Sequence, residues 1–269
     1  MLIDTHCHLD AQEFDEDRSQ VIAQAAEAGV RGIVIPAVGR GNFETVRDLA
    51  HEVPGGAYAL GIHPLYVGAA WDDDLAALRA AVETAMNDPR FVAIGEIGLD
   101  FFVKEIASGE ARDKQERYYA AQLDLAVEFH LPVLLHVRRS QDIVLKYLRR
   151  HSGRLCGIAH AFNGSEQQAR GFVDQGFALG IGGAMTFPRA LQIRRHAQQL
   201  GLEHLVLETD APDIPPAWLH APDRRNTPAQ VAGVARTLAE LRGSNAASVA
   251  AGTAATALRV LPRLVPVVS

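Results

Sequence analysis

Thiols are scarce in this chain: Cys7 and Cys156 are the two cysteines in 269 residues. A single pair at this length builds no disulfide framework, and it leaves too few well-placed thiolates for a structural zinc knot. A reducing, cytoplasmic setting is expected. Basic charge is also short, with 26 Lys and Arg against 32 Asp and Glu, for a net charge of -6. That excludes a surface gripping long nucleic acid by charge alone. A polyanionic substrate has to be held locally, and metal ions could supply the local positive charge. No apolar run approaches the roughly 20 residues of a membrane span. The stretch 260–268 is apolar but broken by Pro262 and Pro266, so it is expected to pack on the body as a tail. Neither a basic n-region nor an apolar h-region opens the chain, and no leader is expected. A Gly-x-Gly-x-x-Gly after the first strand is missing, which weakens a dinucleotide-binding fold.

What is present is an alternation of short, nearly continuous apolar runs with longer segments of helical period. Strands are expected from Leu2-Ile3 and at 32–36, 57–62, 91–94, 132–136, 155–160, 177–181 and 204–208. Helices are expected at 15–28, 42–52, 72–86, 115–129, 140–150, 166–174 and 189–200, then at 227–241 and 244–261, with a long loop over 101–112. Gly29 closes the first helix as a C-cap, and acidic residues open the third, where the dipole favours them. Apolar runs without alternation suit strands buried on both faces. Eight of them, each followed by a helix, predict an α/β chain folded as one (β/α)8 barrel over 1–269. A doubly wound open sheet is the runner-up. At 48% hydrophobic and 22% charged residues, the composition suits one domain with a large core.

Imidazoles and carboxylates recur at the ends of these runs. Ile3-Asp4-Thr5-His6-Cys7-His8 reads as a strand running into a loop. Alternation then aims His6 and His8 one way and Cys7 the other, as a small buried packing residue. His-x-His alone is as easily a structural pair. Glu96 ends the fourth run, His136 the fifth and His160 the sixth, and Asp210 lies just past the eighth. In a barrel all of these sit at the C-terminal mouth. Six such ligands are too many for one catalytic ion and about right for two divalent ions: zinc, manganese or magnesium. His6, His8 and Asp210 are assigned to one ion and His136 and His160 to the other, with Glu96 shared. Two ions about 3.5–4 Å apart clamp the attacking and leaving oxygens of a phosphodiester. Asp210 is placed to take the proton of the attacking water. Asp4 either supports the ligands from behind or simply bonds backbone.

The same residues resemble the TatD family of metal-dependent deoxyribonucleases. The resemblance rests on Ile3 to Leu9, Gly61-Ile62-His63-Pro64, Ile94 to Asp100, Leu134-Leu135-His136, His160 to Ser165 and Leu207 to Pro212. Gly182 to Pro188 and Asp210-Ala211-Pro212-Asp213 look closest to its YjjV-type branch. The resemblance implies a (β/α)8 barrel, a two-metal centre at the six positions above, catalytic roles for Glu96 and Asp210, and phosphodiester hydrolysis on DNA of the 3'-to-5' exonuclease kind. It also implies a substrate-phosphate role for His63, for which a turn residue before Pro64 is the alternative. Related activities include abasic-site or RNA cleavage and D-aminoacyl-tRNA deacylation, so aminoacyl-tRNA is a second candidate partner beside DNA. Two departures stand out. Arg225-Asn226-Thr227-Pro228 lacks the glutamate usual before the last barrel helix, and Ala255 to Val260 lacks the usual asparagine and phenylalanine.

Arg138 and Arg225 are the better candidates for anion contacts among the arginine pairs 138–139 and 224–225, with solvated surface charge as the alternative. Phe101 and Phe102 either stack a base or pack on the rim. Three functions remain open: a two-metal nuclease, an ester or amide hydrolase using the same centre, and a non-catalytic barrel. Strand-four lysines bridge the metals of many barrel amidohydrolases; Glu96 at that place favours the nuclease by analogy.

Overall fold

The computed structural model describes residues 1–71, 73–222 and 224–268. Its strands are β1 (Leu2–Asp4), β2 (Val30–Pro36), β3 (Gly56–Leu60), β4 (Phe91–Asp100), β5 (Val133–Arg138), β6 (Gly157–Ala159), β7 (Phe177–Ile181) and β8 (Leu205–Leu207). They pair in sequence order, and every pair is parallel. Helices α1 (Arg18–Glu27), α2 (Phe43–Glu52), α3 (Asp73–Ala85), α4 (Gly109–Glu128), α5 (Gln141–Arg150), α6 (Glu166–Asp174), α7 (Leu191–Gln199) and α8 (Val231–Arg242) each follow a strand, and α9 (Ala246–Val260) and α10 (Val265–Val268) end the chain. The architecture is the expected (β/α)8 barrel. Asp72, expected to open the third helix, lies outside the described residues.

Two apolar layers hold it together. Inside, Ile3, Val34, Ala59, Val92, Leu134, Ile158, Ala178 and Val206 fill the cylinder, one from each strand. Ala254, Ala257, Val260, Leu261 and Leu264 belong to the same cluster, so α9 and the tail plug one end, as expected for 260–268. Outside, alternate strand residues such as Ile33, Ile35, Ile97 and Leu135 pack against the helices. Both faces of each strand are therefore dry, which is why the runs read as continuous.

Among the boundaries that differ from the sequence expectation, three are those of β4, α4 and β1. β4 continues six residues past Ile94, through Glu96 to Asp100, with its register shifting between Ile94 and Ile97. α4 starts at Gly109 rather than 115, because its polar first turns carry no apolar period; its buried face begins at Gln115. β1 stops at Asp4, and the next residues form a seam with the end of β8 and the chain just beyond it. The Thr5 N–H donates to the Leu207 carbonyl at 3.0 Å, Asp210 N–H to His6 at 2.9 Å and His8 N–H to Ala211 at 2.8 Å. Cys7 bridges Ala211 in parallel. Asp4 locks the seam, accepting from the Thr209 amide at 2.9 Å and its hydroxyl at 2.6 Å.

Candidate metal centre

The seam brings His6 and His8 beside Asp210; β3, β4, β5 and β6 deliver His63, Glu96, His136 and His160 to the same mouth. Glu96 is buried at the centre, and its two oxygens face different partners. Oε2 lies 3.1 Å from His6 Nε2 and 3.4 Å from His8 Nε2. Oε1 lies 2.9 Å from His136 Nδ1, 3.1 Å from His160 Nε2 and 3.4 Å from His63 Nε2. Asp210 Oδ1 is 3.7 Å from both His6 Nε2 and His8 Nε2. The His6 ring stacks on His160 with centroids 3.9 Å apart. Asp210 holds a positive φ of 58°, a conformation unusual outside glycine.

His63 joins this cluster rather than standing apart from it. Its Nδ1 accepts the Leu65 N–H at 3.1 Å, the turn role, while Nε2 sits 3.0 Å from His136 Nδ1. Cys7 is fully buried in the outer apolar layer, away from the two imidazoles that flank it. Asp4 bonds backbone and Thr209 and touches no ring, so the second of its two expected roles is the one seen. Burial lifts its carboxyl to about 8.

Desolvation works against the charge of Glu96, yet the imidazoles of His63, His6 and His160 and the bond to His136 hold its carboxyl well below the usual range. Burial drops His6 to about 3 and His63 to about 4. Desolvation opposes protonation of His8 too, but the Glu96 carboxylate and Asp210 push it up to about 9. His136 is raised, and His160 is raised well above the ordinary value, by neighbouring carboxylates that outweigh burial. Burial lifts Asp210 to about 6 against the pull of His160 and His8. Without a cation, then, protonated imidazoles supply the positive charge that the carboxylates demand.

The donor set fits divalent cations. Ligand atoms of His6, His8 and Glu96, of His6, His160 and Asp210, and of His63, Glu96 and His136 form three groups, each within 4.8 Å. All are nitrogens and oxygens, as zinc, manganese or magnesium prefer. The buried His6 Nδ1, His160 Nδ1 and Glu208 Oε2 lack hydrogen-bond partners, as expected of a site whose electrostatics are completed by something else.

A family model described as TatD related DNase matches residues 3–262. The chain belongs to the TatD family. The uncharacterized metal-dependent hydrolase YjjV of Escherichia coli is 40% identical over 248 residues, 92% of this chain and 93% of that protein. The 3'-5' ssDNA/RNA exonuclease TatD of Klebsiella pneumoniae is 32% identical over 246 residues, 90% of each chain. The crystal structure of E. coli YjjV aligns with a TM-score of 0.89 at 37% identity, covering 97% of this chain and 98% of that one. A TatD family hydrolase from Entamoeba histolytica aligns with a TM-score of 0.85 at 19% identity over 97% of each chain, a likeness of fold. This chain is a metal-dependent hydrolase of the TatD family, and no helix among its described residues is long and apolar enough to cross a membrane.

In this TatD-family hydrolase two carboxylates join the site that sequence reasoning did not single out. Asp100 Oδ2 lies 3.0 Å from His136 Nε2, so His136 offers Nδ1 to Glu96 where His6, His8 and His160 offer Nε2. Glu208 Oε1 accepts the Ala161 N–H at 2.5 Å and lies 3.7 Å from His160 Nδ1. Both carry the same signal as the six proposed ligands, an acid at or next to a strand end. Arg138 is at the mouth, 3.9 Å from Asp100 Oδ2. Arg225 is not brought to the cluster. Its guanidinium is engaged by Asp17, at 2.8 and 2.5 Å, and by the Glu13 carbonyl, bracing the segment after β8 against α1. A bidentate carboxylate close by in the fold outcompetes a substrate phosphate for that fork.

Proposed function

We propose that this hydrolase cleaves phosphodiester bonds of DNA from the 3' end, with two divalent ions that His6, His8, Glu96, His136, His160 and Asp210 would hold. The observation that carries the reading is the division of the Glu96 carboxylate, with Oε2 toward His6 and His8 and Oε1 toward His136 and His160. Divalent ions held there would supply Lewis acidity toward a water molecule and the phosphoryl oxygens. The chain's own residues do the rest. Asp210 Oδ1, facing both His6 and His8, accepts the proton of the attacking water. His63 Nε2, on the side of Glu96 Oε1, contacts a phosphate oxygen of the substrate. The name of the Klebsiella relative, an exonuclease on ssDNA and RNA, supports this substrate class. The relatives described above bear nuclease or hydrolase names, and aminoacyl-tRNA has no comparable support. Two unpaired thiols accord with a cytoplasmic setting.

A 5'-labelled single-stranded 20-mer with Mn2+ or Mg2+ tests this directly. Products shortened from the 3' end are expected. Excess chelator abolishes them, and Glu96→Ala lowers the rate at least about a hundredfold. Full cleavage in chelator, or by the variant, overturns the proposal.

A further inference from the structure

Beside the Asp100 edge of the metal centre, two arginines share one aromatic ring. The Arg138 guanidinium lies 3.8 Å from the Phe102 ring centroid and the Arg139 guanidinium 4.6 Å. Phe102 is 43% exposed and Arg138 51%, so the group stands at the open mouth. Its placement is not loose. The Phe102 and Val103 amides donate to Asp100 Oδ1 at 2.8 and 3.0 Å, and Asp100 Oδ2 meets His136. The ring is thus fixed to the carboxylate that holds a centre residue.

The arrangement is electrostatically incomplete. Two like charges are gathered on one ring, on a chain whose net charge is -6. Neither guanidinium has a hydrogen-bond acceptor among the described residues. The nearest carboxylate, Asp100, is 3.9 Å from Arg138 and already serves His136 and two amides. Arg139 also holds a left-handed φ of 56°, which favours glycine, so the backbone keeps a long cation where a small residue sits more easily. A guanidinium held over an aromatic face leaves N–H donors for a phosphate.

We propose that Arg138 and Arg139, gathered by Phe102, form a clamp for a second backbone phosphate, next to the one hydrolysed at Glu96. The clamp makes the substrate a strand with more than one phosphate, not an isolated phosphodiester. It rests on the nuclease reading only for the identity of the strand, because an anion clamp binds whether or not the bond is cut.

Binding therefore tests it apart from cleavage. Fluorescein-labelled (dT)10 is titrated by anisotropy with the full chain in excess chelator, across a range of salt. R138Q/R139Q is expected to raise Kd at least about tenfold and to flatten the slope of log K against log salt by about 0.7, the loss of one single-strand phosphate contact. F102L keeps both charges but releases them from the ring, and it should raise Kd severalfold. A wild-type protein that does not bind overturns the clamp. So do an unchanged Kd and slope in R138Q/R139Q, or an unchanged Kd in F102L. Binding through the clamp without cleavage in the metal-loaded assay would leave this proposal standing and remove the nuclease one.

Discussion

Glu96 does its work because nothing else can: a buried carboxylate with five imidazoles around it has to share both oxygens. In the cation-free protein His8 is pushed up to about 9 and His160 is raised well above its ordinary value, so at pH 7 they carry protons that a metal must displace. The sign follows. A group whose protonated form is favoured in the free site opposes metal binding below its pKa, and that opposition fades as pH rises toward about 9. Affinity should climb about tenfold per pH unit for each proton displaced. Calorimetry in two buffers of different ionisation enthalpy measures this; at least one proton released at pH 7 is expected, and a buffer-independent enthalpy counts against it. At this scale the sequence was most legible. The six proposed ligands were visible as His, Glu or Asp at strand ends, and all six meet. Arg225 was not legible, because its partner Asp17 is a tertiary neighbour 208 residues away.

Between elements, the seam from β1 to β8 decides whether the centre forms at all. Regular pairing stops at Asp4, and closure passes to Thr5, His6 and His8 against Leu207, Asp210 and Ala211. The residues that close the barrel are thus neighbours of, or identical with, those that face the cluster. Asp4→Ala leaves the Thr209 and His6 amides and the Thr209 hydroxyl without an acceptor in a dry site. A loss of about 2–4 kcal/mol is expected in urea unfolding. Asp4→Asn should cost less, because its amide oxygen keeps an acceptor for the Thr209 and His6 amides. Equal losses in the two variants would contradict this. Element types were readable from apolar runs, but ends were not. Nothing in Gly95-Glu96 announces a strand that bends its register and continues, and the polar turns of α4 before Gln115 hide a helix start. The glycine at 180 is explained only by the fold: a Cβ there would fall 2.0 Å from Glu208 Oε2.

Across the whole molecule, chemistry sits at one end of the cylinder and sealing at the other. Leu261 and Leu264 are fully buried with Val260 under the barrel interior. Leu261→Ala should lower stability by about 2–5 kcal/mol by opening a cavity there, while metal stoichiometry stays that of the wild type. Parallel loss of metal in the folded variant would show that the two ends are not independent. That eight parallel strands would close was legible from their number and order, whereas the plug depended on where the tail folds back. Anomalous diffraction from crystals soaked in Mn2+ bears most directly on the central claim. Two peaks are predicted, one among Glu96 Oε2, His6, His8 and Asp210 and one among Glu96 Oε1, His136 and His160. A single peak, or none in contact with Glu96, would contradict the account.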